Sequence, residues 1–258
     1  PDPVVTPEEA AHSVAATLYT IWRGRLVANV VSDRLTDLGA PSGFGDALNF
    51  IHQLVSQDPF TGIGASSGVD FFPEPAVLPA PDRRDAVLLE ALRAALDDLA
   101  SNRYAAAFGN STDQDDYRWG KLHRVTFEHT LGGARSIPPA AGFTDLASGL
   151  PGIARDGGYQ TVNPGDGWET TARGSNAFQF QRGSWQRHVM SAGDPLAGWD
   201  RVLGFANVAG GSSGDSESPL YASQLAKWLT VDYHRVPMSP RDVRLAAERI
   251  EIFSPPLP

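Results

Sequence analysis

The stretch Gly210-Gly211-Ser212-Ser213-Gly214-Asp215, continuing as Ser216-Glu217-Ser218-Pro219-Leu220-Tyr221-Ala222-Ser223-Gln224-Leu225-Ala226-Lys227-Trp228, decides the fold class of this chain. Gly210-x-Ser212-x-Gly214 matches a nucleophile elbow, in which a strand enters a strained turn and a helix leaves it at once. An elbow here would make Ser212 reactive and the fold a parallel α/β sheet. The entering strand is present as Arg201 to Val208. The departing helix is not, because Asp215 to Ser218 intervene before a proline-led start at Ser218-Pro219. An acid and then a histidine should follow, and only Asp232 and His234 do. Two residues apart and beyond the helix, they are badly placed to converge on Ser212. The competing reading is a tight turn that uses glycine's freedom at positive φ.

Outward from this turn, the chain reads as helices, then strands, then helices. Thr6-Pro7-Glu8-Glu9 supplies an N-cap, a proline at the first helical position and a glutamate three residues past the cap, which together form a capping box. Val14, Leu18, Ile21, Trp22, Val27, Val30 and Leu35 then recur at three- to four-residue spacing, predicting a helix that stops at Gly39 before Pro41. A shorter helix is predicted from Asp46 to Val55, and Pro59 to Pro81 reads as a loop. Leu88, Leu92, Ala95, Leu96 and Leu99 predict an amphipathic helix over Asp85 to Leu99.

From Trp119 the period becomes two. Val125 and Phe127 predict one strand; Phe178 and Phe180 predict another, joined to Trp185, Arg187 and Val189 by a hairpin turn at Arg182-Gly183-Ser184. Leu131 to Trp168 is rich in Gly and Pro and reads as loop. One helix is predicted from Ser218-Pro219, carrying Leu220, Tyr221, Leu225, Trp228 and Leu229. Another runs from Ser239-Pro240 to about Arg249, with a final strand at Ile250 to Phe253. With no βαβ alternation the class is α+β. The chain reads as one region, mainly helical over 1–101, mainly strands over 119–210, and closing helices and strand over 218–253.

With 258 residues and 41% apolar content, the chain is long enough to bury a sizeable core. The formal net charge of −9, with no basic cluster beyond pairs such as Arg83-Arg84, argues against a nucleic-acid partner. No apolar run approaches the roughly 18 residues of a membrane span, and the N-terminus lacks the pattern of a signal peptide. Cysteine is absent, which excludes disulfides, thiolate metal sites and cysteine nucleophiles. Lysine occurs only at Lys121 and Lys227.

Candidate chemistry is sparse. The histidines are His12, His52, His123, His129, His188 and His234. An even spacing across a strand would put His123 and His129 on one face, with Glu128 on the other, which spoils a compact metal site and favours a structural histidine. Asp113, Asp115 and Asp116 follow Asn110-Ser111 without the glycine and glutamate of an EF-hand, and read as a solvated loop with a helix N-cap. Pro1 would be a candidate base as a mature terminus, but Pro1-Asp2-Pro3 reads as a flexible arm into the first helix, at a boundary left either by cleavage or by excision of the chain.

Several segments in consistent order resemble the penicillin acylase (penicillin amidase) family of N-terminal-nucleophile hydrolases, in the last part of its β subunit. Ala15-Ala16-Thr17-Leu18-Tyr19-Thr20-Ile21-Trp22 is similar to the helix after that family's oxyanion region. Asp85 to Leu99 and then Asp116-Tyr117-Arg118-Trp119-Gly120-Lys121-Leu122-His123 resemble its leucine-rich helix and Trp-Gly-x-x-His segment. Gly157-Gly158-Tyr159-Gln160-Thr161-Val162-Asn163 and Gly183-Ser184-Trp185-Gln186-Arg187-His188-Val189 are similar to its Thr-Val-Asn and Ser-Trp-Arg-x-Val segments. The turn at Gly210 resembles its Gly-Gly-Gln-Ser-Gly, with Ser212 in place of glutamine, followed by Ser-Pro-x-Tyr-x-x-Gln-Leu-x-x-Trp.

The resemblance implies the C-terminal part of an αββα sandwich and hydrolysis of N-acyl amides such as β-lactams or acyl-homoserine lactones. The nucleophile is then a serine at the β-subunit N-terminus, freed by autoproteolysis, whose own α-amine is the base. That serine, the oxyanion asparagine and the family's calcium site would all lie before this chain. No catalytic, cofactor or metal residue is therefore assigned within it, and it would be inactive alone. The implied partners are the upstream β-subunit segment, the α subunit and a small acyl-amide substrate, in the periplasm or outside the cell. The alternatives are a non-catalytic binding domain of the same fold, and a hydrolase that uses Ser212.

Overall fold

A computed structural model describes residues 6–32, 51–52, 71–72, 77–131, 133–137, 152–159, 161, 163–165, 173–180, 186–190, 204–208, 211–230, 232, 234–236 and 240–253. The chain divides into two units, Pro1–Gly183 and Ser184–Pro258.

Helix α1 of the first unit spans Pro7–Val27. Its start is the expected capping box: the Thr6 hydroxyl accepts from the Glu9 amide at 3.2 Å, and the Glu9 carboxylate accepts from the Thr6 amide at 2.8 Å. Two otherwise orphaned backbone donors are thereby satisfied. The α-helix ends earlier than the apolar spacing predicts, and a π-helical turn over Ala28–Ser32 continues it. That wider turn keeps both Val30 and Val31 buried, where 3.6-residue periodicity would turn one of two neighbours outward. The predicted stop at Gly39 and most of the Asp46 to Val55 helix lie outside the described residues; 51–52 are helical.

Helix α2 spans Ala80–Leu99, starting five residues before its apolar stripe suggested. Pro81 sits in its first turn, where a missing N–H costs nothing. Ala91, Ala95 and Leu99 on one face have no exposed surface, and the small alanines let α1 and α2 approach closely. The Trp22 indole N–H crosses between them to the Leu88 carbonyl at 3.0 Å. Helix α3, Ala105–Phe108, follows and ends on Gly109 at φ 61. The core gathers Ile21, Val27, Leu99, Tyr104, Phe108, Tyr117, Trp119, Leu122 and Phe178. Each large apolar side chain buried in this way contributes about 1.5–3 kcal/mol relative to exposure.

Strand β1, Arg124–Val125, pairs antiparallel with β2, Ile153–Ala154. Phe127 forms an isolated bridge to Ile137 and does not extend β1. The predicted strand through Phe178 and Phe180 is absent: 174–178 are turns and bends, and the alternation reflects two rings buried against Trp119 and His123.

The second unit holds a three-stranded antiparallel sheet in the order β3-β4-β5, with β3 Gln186–Met190, β4 Gly204–Val208 and β5 His234–Val236. The partner of β3 is thus β4, in a register that sets His188 opposite Ala206, and not the Phe178 segment. β4 also pairs with β5, Ala206 opposite His234. β5 carries little apolar periodicity and was not visible in the sequence.

Helix α4, Leu225–Thr230, starts six residues after Pro219, because 216–224 form consecutive turns and a bend. Trp228 on it is fully buried. Helix α5 spans Pro240–Ala246, and the expected final strand at Ile250 to Phe253 is irregular chain. Helices beside small antiparallel sheets are compatible with an α+β fold, although α4 intervenes between β4 and β5.

Candidate functional site

Ser212 lies in an exposed turn held by backbone bonds. Its amide donates to the Leu220 carbonyl at 3.0 Å, and its hydroxyl bonds to no described residue. Below it, Asp215 and Ser218 cap successive turns: Asp215 accepts from the Glu217 amide at 3.0 Å, and the Ser218 hydroxyl from the Leu220 amide at 3.2 Å. A side chain at 211 would collide with the carbonyls of Leu220 and Tyr221, so glycine is required there by close approach of the backbone. No helix leaves this turn, so Ser212 gains neither an N-terminal dipole nor an elbow's strain.

The triad partners are engaged elsewhere. The Asp232 carboxylate pairs with Lys227 Nζ at 2.7 Å, and that hydrogen bond holds its pKa below the ordinary 3.8. His234 Nε2 bonds to the Gln224 side chain.

His123 and His129 do not share a site. β1 is too short to span both, and the ring of His123 is fully buried, with Nδ1 2.8 Å from the Phe178 carbonyl. His123 stacks on Trp119, centroids 5.2 Å apart. His129 Nδ1 instead accepts from the Leu131 amide at 3.0 Å. The aspartates behave as loop caps: Asp113 accepts from the Asp115 amide at 3.0 Å and Asp116 from the Ser111 hydroxyl at 2.6 Å. Pro1 lies outside the described residues, as do the side chains around His188.

The Gly157 to Asn163 segment is a clip fastened to Trp119. The indole N–H of Trp119 donates to the Gly157 carbonyl at 2.8 Å, and Thr161 Oγ1 to the Asn163 carbonyl at 2.9 Å. The Asn163 amide reaches Asp156 at 2.8 Å. Gly157 takes φ 83, and a side chain there would strike the Asn163 carbonyl.

The model of the Penicillin amidase family matches residues 7–245. The chain belongs to the penicillin amidase family. No curated protein matches it. Penicillin amidases are hydrolases, so an enzymatic role follows at that level. The segments that resembled the family fall at structurally fixed places: Trp119 and His123 in the core, the Gly157 clip, and the Gly211 turn with the buried Trp228 behind it. Among the described residues no helix is long and apolar enough to cross a membrane.

Sequence reasoning missed one charged cluster. The buried Asp98 accepts from Arg25 Nε at 2.7 Å, with a second nitrogen of Arg25 on the same oxygen. Arg103 Nε stands 3.9 Å and Arg173 Nε 3.8 Å from that carboxylate. These residues come from α1, the end of α2, the turn after it and 173, with no spacing that local patterns could reveal.

Proposed function

We propose that this chain is part of an amidohydrolase that cleaves N-acyl amide bonds, with its nucleophilic serine on a preceding segment or chain. In that reaction a serine hydroxyl attacks the acyl carbonyl while the serine's own α-amine takes the proton. The proton passes to the departing amine, and water then releases the acid from the acyl-enzyme. The match to the penicillin amidase family over 7–245 carries the reading. Ser212, held by a backbone bond in a turn without a helix, supports placing the nucleophile elsewhere.

On this reading the two units supply strands and helices to an αββα sandwich that the preceding β-subunit segment and an α subunit complete. Autoproteolysis of a common precursor frees the serine, calcium binds on the upstream part, and the enzyme works in the periplasm or outside the cell. Its substrates are acylated amines of the β-lactam or acyl-homoserine-lactone kind. Co-expression with the preceding coding region, followed by assay on a chromogenic N-acyl amide, tests this. Hydrolysis is expected only from the assembled protein and is expected to survive Ser212→Ala. Hydrolysis by the 258-residue chain alone, abolished by Ser212→Ala, would overturn it.

A further inference from the structure

We draw no further inference here: the strongest candidate, the exposed apolar patch of Val243, Leu245, Ile250, Ile252 and Phe253 on α5 and the irregular chain after it, carries nothing because nothing in the structure shows what covers it.

Discussion

Trp119 joins three separate stretches of the first unit: its backbone amide donates to the Ser13 hydroxyl at 2.8 Å, and its indole donates to the Gly157 carbonyl at 2.8 Å. Between those bonds the ring stacks on His123. Trp119→Phe keeps most of the apolar area and loses the indole donor to the half-buried Gly157 carbonyl. A loss of about 1–3 kcal/mol in urea unfolding is expected.

The capping box at Thr6 is exposed and local, so its value is separable from packing. Thr6→Ala removes the hydroxyl that accepts from the Glu9 amide. Stability should fall by about 1 kcal/mol, and hydrogen exchange should quicken in the first turn of α1 and not at Trp22.

Glu9 gives that cap a pH dependence. The Thr6 amide and hydroxyl hold its pKa below the ordinary 4.5. A depressed carboxylate stabilises the fold above its unfolded value, and the contribution fades as pH drops through the folded value. The difference in Tm between the parent and Glu9→Gln should therefore be constant above pH 4.5 and shrink below it.

Tyr104 acts at the opposite end of the scale. Burial raises its pKa above the ordinary 10.0. The unfolded chain then loses this proton first, so stability falls as pH rises past that value. Tyr104→Phe should flatten the alkaline arm of the stability curve, and absorbance titration should show one tyrosine, missing from Tyr104→Phe, ionising above the ordinary 10.0.

Gly211→Ala tests the turn that resembles an elbow. A methyl group there meets two carbonyl oxygens of the backbone and cannot be relieved by rotating a side chain. A cost of about 2 kcal/mol or more is expected, and Trp228 fluorescence should report the displaced turn.

The sequence showed what is local. The capping box at Thr6, the apolar stripe on α2 and the helical character of α1 and α2 in the first hundred residues all follow from short spacings. What failed depended on distant partners. Phe178 and Phe180 alternate like a strand, yet they fill space beside Trp119 and His123. β5 has a weak pattern because pairing to β4 defines it. Ser218-Pro219 promises a helix, but Asp215 and Ser218 cap turns there and delay α4 to Leu225. At the site level, the late helix start after Ser212 was legible in its flanks, whereas Asp98 and its arginines meet only in three dimensions.

The order β3-β4-β5 also fixes a timetable for synthesis. β3 and β4 can zip together soon after residue 208 leaves the ribosome, but the other edge of β4 waits for His234–Val236. At about 5–20 residues per second, that edge stays open for a second or more, with hydrogen-bonding groups facing whatever strand is near. The buried Trp228 emerges just before β5, so the same interval holds an unshielded indole. A nascent chain stalled between 208 and 234 is the species of this protein most prone to capture by a chaperone or by its own neighbours on a polysome.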